Sequence, residues 1–560
     1  MAQILTSPIA HPNTKYPTGN LYEFITSNPY KSQPADVASW RLDGKPMTRG
    51  DVEHTAKQIA YFLRHTLGLA AGQRVAVVSP NSTLYLPVVL GIARAGLVCV
   101  ATNPVYSTDE MVHPFLDSDV AVALVFPAIV PAVRAAFEKA QRPQHLANGQ
   151  RAIWLMDEAD TVPALPTGET DFRPALSSDD WPIEQIRDPR STEVVIAYSS
   201  GTSGKPKGVL LTHDNLVCGC DGLCEGSKGD VGPHQIAISV LPMFHIFGLN
   251  ILVFSAFLVS MRAVVVPRFD VDVFCAAVQR FHVTLAAVVP PMLLALARHP
   301  SVAKYDLSSL RVALCGAAPL GVELGDEVEN RLPHLRVCQG YGLSETSPVV
   351  AFAPSADYRN HKGSCGFPFP GTEVRLIDAD DKDVAHDQGS DGKPGELWVR
   401  GRMVMKGYQN NKEATDESLT PDGWYKTGDI AIYKDGFLYI VDRKKELIKY
   451  KGFQVAPAEL EALLLANSSV ADVAVIGMYD KAQATELPCA FVQPRPGTLD
   501  VNKATPEEKE KLAKAIIDWT AERVANHKKL RGGVIFIPEV PKSASGKILR
   551  RLLRDKYASA

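Results

Sequence analysis

The chain has 560 residues, of which 46% are apolar and 22% are charged, as is ordinary for a globular protein. At roughly 150 residues per domain, this length predicts more than one folding unit. The composition excludes a disordered, collagen-like or disulfide-framework protein. The nine scattered cysteines indicate a reducing compartment.

Charge is distributed unevenly along the chain. The net charge is −3, which argues against a protein that binds nucleic acid over its whole surface. From Arg443 to the end there are 21 Lys and Arg against 14 Asp and Glu, a local charge of +7, so the rest of the chain carries −10. We expect the basic C-terminal part to meet a polyanionic ligand; a solvated helix face is the alternative.

Three regions of the sequence indicate where in the cell the protein is expected. The first ten residues lack a basic region and a sustained apolar run, so no signal peptide is predicted, and the final Ala-Ser-Ala is not the Ser-Lys-Leu address. Residues 231–261 carry no Lys, Arg, Asp or Glu, but Pro242 and Gly248 interrupt them. We expect a buried core segment beside a ligand pocket. The sequence thus predicts a cytoplasmic protein, with a peroxisomal location left open.

Apolar runs alternate with helical patterns in the first half, which is typical of a parallel α/β sheet. The first series predicts strands at 74–79, 97–101, 119–126 and 152–155, with helices at 84–95 and 132–140. Residues 157–188 are polar and rich in Pro and Asp, which predicts a long connection. The second series predicts strands at 194–198, 285–289 and 311–315, a helix from Thr212 and a helix at 292–297.

Shorter patterns follow toward the C-terminus. Residues 366–401 predict short strands of a small β subdomain. Residues 457–465 and 507–526 predict helices, and 470–476, 488–492 and 534–537 predict strands. Five consecutive charged residues, 442–446, mark a boundary. The expected fold is α/β: a large N-terminal domain (1–441) of two α/β subdomains and a small β subdomain, then a small mobile α+β domain (442–560).

The strongest chemical signal is the run Tyr-Ser-Ser-Gly-Thr-Ser-Gly-Lys-Pro-Lys-Gly at 198–208. It directly follows a predicted strand. Its glycines free the backbone, its hydroxyls and amides can surround phosphate oxygens, and its lysines supply charge. The spacing is not that of a Walker A loop. The predicted phosphate-binding residues are Ser199, Ser200, Gly201, Thr202, Ser203 and Lys207.

This loop resembles the phosphate loop of the adenylate-forming superfamily, which includes acyl-CoA synthetases, luciferases and adenylation domains. Further motifs follow in the order that the superfamily has: Gly-Ala-Ala-Pro-Leu at 316–320, Gly-Tyr-Gly-Leu-Ser-Glu at 340–345, Trp-Tyr-Lys-Thr-Gly-Asp at 424–429, the run 442–461, and Pro-Lys-Ser-Ala-Ser-Gly-Lys at 541–547. Residues 447–461 are most similar to 4-coumarate–CoA ligases and related acyl-CoA ligases.

Several of these residues also have a chemical interpretation of their own. The small residues 316–318 end a strand, as a flat adenine ring would require, and Tyr341 could cover its other face. Glu345 suits magnesium as a hard oxygen ligand. Asp429 can accept the ribose hydroxyls, with Arg443 as a donor beside them. Alone, such features are more often strand-end packing, a turn or a solvated charge.

The resemblance implies ATP, Mg²⁺ and CoA as ligands and assigns further roles. Glu345 would hold the metal, and Ser344, where the superfamily usually has Thr, would contact the α-phosphate. The nucleotide site would also include Ala317, Gln339, Gly340, Asp429, Arg443, Lys445 and Lys449.

The resemblance also implies catalytic roles for four residues. Lys547 would bridge the carboxylate and the α-phosphate during adenylation. Lys449 and Gln454 belong to a second cluster that would serve thioester formation, in which Gly452 would line a pantetheine tunnel. His245 is the fourth. The CoA-binding residues would be Arg268, Lys451 and Gly452.

The acyl pocket would contain Phe247, Ile251, Gly342 and Val349, with Ile246, Gly248, Gly340 and Pro348 nearby. Two positions depart from 4-coumarate ligases, which usually have Tyr at 247 and a small polar residue at 251. A site without hydrogen-bond partners discriminates weakly among hydrophobic acids. Cinnamates and medium-chain fatty acids both stay open.

The sequence therefore predicts an ATP-dependent acid–CoA ligase whose partners are a small carboxylic acid, ATP and CoA. Two alternatives remain: an adenylating enzyme that loads the thiol of a separate carrier protein, and a non-catalytic nucleotide-binding protein of the same fold. The second would be expected to have lost Lys207, Glu345, Asp429 or Lys547, which are all present. Luciferase-like oxidation is a more remote option.

Overall fold

The computed structural model describes residues 4–9, 19–199, 206–227, 230–354, 360–384, 392–451, 453–480, 483, 485–544 and 546–557. The α-helices are, in chain order, α1 (Leu21–Ile25), α2 (Arg49–Tyr61), α3 (Tyr85–Arg94), α4 (Thr108–Asp117), α5 (Val130–Lys139), α6 (His213–Gly226), α7 (Ala256–Leu258), α8 (Val271–Phe281), α9 (Pro290–Arg298), α10 (Val322–Arg331), α11 (Lys412–Ser418), α12 (Pro457–Leu465), α13 (Pro506–Ala521) and α14 (Arg550–Tyr557). Two π-helical stretches, Phe62–Thr66 and Gly248–Ser255, continue α2 and precede α7.

The strands are β1 (Leu5–Thr6), β2 (Val37–Trp40), β3 (Pro46–Thr48), β4 (Arg74–Val78), β5 (Val98–Ala101), β6 (Val120–Val125), β7 (Ile153–Leu155), β8 (Glu193–Ser199), β9 (Lys207–Thr212), β10 (Ile236–Ser239), β11 (Arg262–Val265), β12 (Leu285–Val288), β13 (Val312–Cys315), β14 (Arg336–Gly342), β15 (Val349–Phe352), β16 (Phe367–Pro368), β17 (Glu373–Ile377), β18 (Gly395–Arg400), β19 (Gly407–Tyr408), β20 (Tyr425–Lys434), β21 (Phe437–Arg443), β22 (Ile448–Tyr450), β23 (Phe453–Val455), β24 (Val470–Asp480), β25 (Thr485–Pro494) and β26 (Gly533–Phe536).

The first α/β layer is a seven-stranded sheet in the order β19-β9-β8-β5-β4-β6-β7. Strands β4, β5, β6, β7 and β8 run parallel, and β8 turns back antiparallel into β9. The central strands are continuous apolar runs because both faces of such a sheet are covered; β5 is buried over its whole length. The strands and helices predicted for this region are confirmed.

The second layer is a nine-stranded sheet in the order β16-β15-β14-β13-β12-β10-β11-β2-β3. Its centre, from β2 to β14, is parallel. The uncharged segment 231–261 supplies β10 and the buried π-helix Gly248–Ser255, as the core interpretation predicted. Among the described residues, no helix combines the length and apolar character needed to cross a membrane.

A five-stranded sheet, β1-β17-β18-β20-β21, forms the β subdomain. All its pairings are antiparallel. The sequence predicted β17 and β18 in 366–401, but the subdomain also takes in β20, β21 and the N-terminal strand β1. The two residues of β1 are too few to give an alternating pattern.

The C-terminal unit has a three-stranded sheet, β24-β25-β26, packed with α12, α13 and α14. Its predicted helices and strands are confirmed. The hairpin β22–β23 was not predicted, because two three-residue strands are too short for a periodic signal. Strand β21 ends at Arg443 and the chain enters β22 at Ile448. The first two residues of the charged run, Asp442 and Arg443, therefore still belong to the sheet of the β subdomain, and residues 444–446 lie between that sheet and the hairpin. The fold class, α/β with a large and a small part, is confirmed.

Candidate active site

A cleft of about 880 Å³ opens between the second sheet and the C-terminal unit. Residues 317–321 and 339–343 line one side, and Lys547 and Arg550 line the other. The loops after parallel strands β13 and β14 lie at the carboxyl ends of those strands, which is where open α/β sheets bind ligands. Of the predicted nucleotide residues, Ala317, Gln339, Gly340, Asp429, Arg443 and Lys445 all line this cleft.

The base of the phosphate loop is the β8–β9 hairpin. Ser199, the last residue of β8, is paired with Lys207, the first residue of β9. The Nζ of Lys207 lies 4.7 Å from the centre of the Tyr408 ring, and Nε2 of His113 is 2.9 Å from the carbonyl oxygen of Pro206. The predicted phosphate ligands Ser200, Gly201, Thr202 and Ser203 lie outside the described residues, so their roles stay predictions.

Glu345 lies directly beside this hairpin, in a buried turn of 3₁₀-helix. Its Oε1 accepts hydrogen bonds from the hydroxyl of Tyr408 (3.0 Å) and from Oγ of Ser199 (3.4 Å). Within the described ranges, no group of three or more His, Cys, Asp or Glu is arranged to hold a metal ion. One carboxylate beside a phosphate site nevertheless fits Mg²⁺, which usually takes one or two carboxylates and completes its shell with phosphate oxygens and water.

The wall predicted to meet the adenine is built from a strained turn. Ala317 has φ +67°, a left-handed conformation that costs a non-glycine residue energy and is concentrated at functional sites. The side-chain oxygen of Gln339, which is buried, accepts the backbone N–H of Leu320 at 2.9 Å. Gln339 therefore fixes the loop that follows Ala317.

Asp429 is the anchor of the predicted ribose site. Its Oδ2 accepts the hydroxyl of Tyr341 at 2.5 Å, and its Oδ1 is 3.4 Å from Nε of Arg443. Burial raises the pKa of the Asp429 carboxyl, and the neighbouring Arg443 opposes that effect. The phenol of Tyr341 thus occupies one carboxylate oxygen, a contact that the sequence did not indicate.

Lys547 projects into the site from the C-terminal unit. It lines both the large cleft and a smaller apolar cavity. Burial and the nearby Arg443 lower the pKa of the Lys547 ammonium, whereas Glu345 and Asp429 raise it. The preceding Gly546 has φ +79°, and a Cβ there would lie 3.1 Å from Val289 Cγ2, so this loop lies close against the large domain.

We call the smaller cavity, of about 60 Å³, the acyl cavity, after the residues predicted for the acyl pocket. Phe247, Ile251, Gly342 and Val349 line it, as do Ile246, Gly340 and Pro348, whereas Gly248 does not. Gly316, which was expected to face the adenine, lines this cavity instead, and a Cβ on Gly316 would lie 3.0 Å from Cζ of Phe247. Ser344 lines the acyl cavity as well.

Sequence reasoning missed several of the residues that line the acyl cavity. Leu223 comes from α6, and Phe352 and Phe369 come from β15 and from just after β16. A signal was present in α6, where Gly219, Gly222 and Gly226 share one face at helical spacing. Such a glycine face marks the close approach of another segment.

His245 lies between the acyl cavity and a small neighbouring space of about 20 Å³. Burial, with a further contribution from Lys547, lowers the pKa of His245 to about 3, so the ring is neutral at physiological pH. The backbone N–H of Phe247 donates to Nδ1 at 3.3 Å, which leaves the ring proton on Nε2.

The predicted thioester cluster lies elsewhere in this arrangement. Lys449 on β22, Gln454 on β23 and Lys451 in the connection between them are exposed, and Lys449 and Gln454 are cross-strand partners. None of the three lines the cleft described above. Gly452 lies outside the described residues, and Arg268 is exposed in the loop after β11. Their roles in nucleotide, CoA or thioester chemistry stay predictions.

Comparison with known proteins identifies the class. The AMP-binding enzyme family matches residues 28–409, and the AMP-binding enzyme C-terminal domain matches residues 459–547. The chain is 38% identical to 4-coumarate–CoA ligase 2 of Oryza sativa subsp. japonica, over 96% of this chain and 92% of that protein.

Solved structures share the whole fold. ATP-bound MatB from Rhodopseudomonas palustris superposes with a TM-score of 0.81 at 24% identity, covering 97% of this chain and 99% of its own. The fatty acyl CoA synthetase of Mycobacterium tuberculosis has a TM-score of 0.69 at 26% identity, covering 96% and 98%.

The fold and the cleft thus define a two-part adenylate-forming enzyme, as the sequence motifs indicated. The chain belongs to the AMP-binding enzyme family, and its relatives there are ATP-dependent acid–CoA ligases.

Proposed function

We propose that this protein joins a hydrophobic carboxylic acid, of the 4-coumarate or cinnamate type or a medium-chain fatty acid, to CoA at the expense of ATP. The observation that carries the proposal is the position of Lys547, which lines both the cleft and the acyl cavity. A cation at that junction can contact a carboxylate and an α-phosphate together, which is what acyl-adenylate formation requires.

In the first half-reaction, a carboxylate oxygen attacks the α-phosphorus of ATP, the bond to the β-phosphate oxygen breaks, and pyrophosphate leaves. Lys547 stabilises the negative charge that develops on the α-phosphate, and the anionic substrates favour its charged form. Asp429, Arg443 and the loop after Ala317 orient the nucleoside. The contribution of these residues is positioning and charge stabilisation.

Mg²⁺, when bound, would neutralise the charge of the phosphate oxygens during this displacement. Glu345 is the residue that would hold it. Tyr408 and Ser199 donate to Oε1 of Glu345 and so fix the direction of its carboxylate.

In the second half-reaction, the CoA sulfur attacks the acyl carbon, the bond to the phosphate oxygen breaks, AMP leaves and the thiol proton passes to solvent. Lys449, Lys451 and Gln454 are exposed and outside the cleft. We infer that the C-terminal unit rotates between the two steps, withdrawing Lys547 and presenting the β22–β23 hairpin.

The choice of acid follows from the lining of the acyl cavity. Its polar side chains are His245, Tyr341, Ser344 and Lys547, and the hydroxyl of Tyr341 is already donated to Asp429. Its larger apolar side chains come from α6, the second π-helix, β13, β15 and two connecting segments: Leu223, Phe247, Ile251, Leu314, Val349, Phe352 and Phe369. Such a lining supports an acid with an apolar acyl part and does not favour one recognised through a phenolic hydroxyl.

The test is to incubate the protein with ATP, Mg²⁺ and a panel of acids, with and without CoA, and to measure pyrophosphate, AMP and acyl-CoA. We expect acid-dependent pyrophosphate release and, with CoA, equal amounts of AMP and thioester. Acyl-adenylate that accumulates without thioester would point to a carrier-protein thiol as the acceptor. An absence of acid-dependent pyrophosphate across the panel, from folded protein, would contradict the proposal.

A further inference from the structure

A second cavity lies behind the acyl cavity. It has a volume of about 40 Å³. Three side chains line both cavities: Leu223 from α6, Val349 from β15 and Phe369 from the segment after β16. These three residues, each less than one-tenth exposed, form a wall one side chain thick between the two spaces.

The second cavity suits methylene groups. Gly219 and Gly222 of α6 and Met403 line it. Its one charged side chain, Arg402, is compensated, because Nε of Arg402 donates to Oδ2 of Asp214 at 3.0 Å. The hydroxyl of Thr372, which also lines the cavity, donates to Sδ of Met403 at 3.9 Å. The lining thus has no uncompensated charge, so an alkyl chain could enter without leaving a buried ion unpaired.

The members of the wall are held to different degrees. Phe369 lies directly on α6, because a Cβ on Gly226 would be 2.4 Å from its Cδ1. Its other neighbour is Phe352, stacked with ring centroids 6.1 Å apart, and its backbone N–H donates to the carbonyl oxygen of Val350 at 2.9 Å. Val349 is a strand residue whose backbone is part of the sheet.

Leu223 is the member of the wall that can be shortened with the least disturbance. It lies inside α6, one turn before the helix ends, and contributes apolar packing. Alanine is the best helix former, so Leu223→Ala keeps the helix while it removes the part of the side chain that separates the cavities.

On the basis of the function proposed above, we propose that Leu223 sets the length of acyl chain that the protein accepts. The acyl part of a good substrate ends at the wall of Leu223, Val349 and Phe369. An unbranched alkanoic acid that extends beyond the wall is excluded, and removing Leu223 joins the cavities and admits it.

The experiment measures kcat/KM for unbranched alkanoic acids from butanoic to dodecanoic acid, with the native protein, Leu223→Ala, Leu223→Val and Leu223→Trp. We expect a steep fall beyond one chain length in the native protein. One methylene in an apolar pocket changes kcat/KM by roughly 10-fold or more. Leu223→Ala should therefore raise the ratio of longer to shorter acids at least about tenfold, Leu223→Val less, and Leu223→Trp should lower it.

Leu216→Ala is the matched control. Leu216 is fully buried on the same helix and lines neither cavity, so its truncation loses packing without opening the wall, and the chain-length profile should keep its native shape. If Leu223→Ala does not fold, Leu223→Val carries the test. The proposal is overturned if kcat/KM of the native protein does not fall as the acid becomes longer. It is also overturned if Leu223→Ala and Leu223→Val still turn acids over and keep the chain-length profile of the native protein.

Failure of the proposed function has a different signature. In that case, the native protein would release no pyrophosphate with any acid of the series. The wall can then be tested by calorimetric binding of the same alkanoic acids to the native protein and Leu223→Ala. Tighter binding of the longer acids to the variant alone would support the wall, and equal binding would contradict it.

Discussion

Glu345 shows how single contacts organise the site. Its carboxylate accepts the hydroxyl of Tyr408, and the ring of Tyr408 lies under the ammonium of Lys207. Burial raises the pKa of the Tyr408 phenol well above its usual range, and the negative charge of Glu345 raises it further. The hydroxyl of Tyr408 therefore stays protonated and can donate a hydrogen bond. Glu345 and Lys207 are thus connected through the side chain of Tyr408.

Replacing Glu345 with Gln tests the metal assignment. The amide keeps an oxygen for the hydroxyl of Tyr408 but loses the charge that attracts Mg²⁺. Mutating a residue that only supports a metal ligand lowers metal affinity by roughly 10–100-fold. Replacing the ligand itself should lower the affinity at least as much. We expect a higher half-saturating magnesium concentration for pyrophosphate release and an unchanged Tm. Glu373→Gln, at a partly exposed ion pair with Arg400, is the control; equal magnesium dependence in both variants would refute the role.

His213 makes the stability of the protein depend on pH. It is 1% exposed, and its Nδ1 accepts the backbone N–H of Leu21 at 3.0 Å. Burial lowers the pKa of His213 to about 4 from 6.5, so the unfolded chain binds the proton more readily. Stability is therefore intact above pH 6.5 and falls as the pH drops toward 4, by up to about 3 kcal/mol.

His213→Asn should flatten that dependence. The Asn side chain keeps an acceptor near the position of Nδ1 but does not titrate. The measurement is the free energy of unfolding between pH 7 and pH 4 for the native protein, His213→Asn and the control His54→Asn, whose histidine is exposed. The same slope in the native protein and in His213→Asn would show that His213 is not the group responsible for the pH dependence.

The shape of the acyl cavity depends on how closely the chain after strand β13 approaches the segment before the second π-helix. Gly316 directly follows β13, and a methyl group there would lie 3.0 Å from Cζ and 3.1 Å from Cε1 of Phe247. That is tighter than ordinary van der Waals contact. The Phe247 ring would have to shift, and the cavity would change shape.

Gly316→Ala should therefore lower kcat/KM for bulky aryl acids by about tenfold with little change in the KM for ATP, because Gly316 lines the acyl cavity and Ala317 begins the nucleotide side. Gly325→Ala is the matched control, since a Cβ on Gly325 meets nothing within 4 Å. A loss that is equal for short and bulky acids would show that Phe247 does not shape the cavity.

What could be predicted from the sequence depended on the length of each element's signal. Buried strands such as β12, and β4 beyond its first residue, are uninterrupted apolar runs, and the helix α12 is a nine-residue segment that begins with Pro457 and is rich in Leu and Ala. The residues of each such element were therefore enough to predict it. The hairpin β22–β23 and strand β1 have two or three residues per strand, which is too short for a periodic signal. Strand β1 is in addition defined by its pairing with β17, which is distant in sequence. For these reasons the sequence did not predict them.

The residues of the candidate site also fall into those that the sequence could predict and those that it could not. Lys547, Asp429 and Ala317 could be placed because motifs fix their residue types, whereas Leu223 and Phe369 belong to no motif and became visible only when α6 and β16 were packed together. The contact of Tyr341 with Asp429 joins residues 88 apart in sequence, and no local pattern carries that information.

Arg298 makes a hydrogen bond from the large domain to the C-terminal unit. Arg298, at the end of α9, pairs with Glu327 through Nε (2.9 Å) and Nη2 (2.8 Å). The same Nη2 donates to the carbonyl oxygen of Leu465, at the end of α12 in the C-terminal unit, at 2.9 Å. A cation at a helix C-terminus also favours the helix dipole. Arg298 therefore stabilises the orientation in which Lys547 occupies the site.

Arg298→Lys should weaken that orientation. A charge-assisted hydrogen bond contributes about 1.5–3 kcal/mol, so we expect adenylation to slow by roughly tenfold or more while thioester formation from supplied acyl-adenylate does not slow. Arg331→Lys is the control, because Arg331 donates to the carbonyl oxygens of Ala297 and His299 within the large domain. Equal effects of both variants on adenylation would show that the interdomain bond does not matter.

We propose that Lys547 serves adenylation in this orientation and leaves the site for the thioester step. The most direct test is to time pyrophosphate release and thioester formation separately for Lys547→Ala, with the exposed Lys556→Ala as control. We predict that Lys547→Ala slows pyrophosphate release by about 10²–10³-fold and spares thioester formation from supplied acyl-adenylate. If folded Lys547→Ala slowed both half-reactions equally, the assignment of Lys547 to one orientation would be wrong.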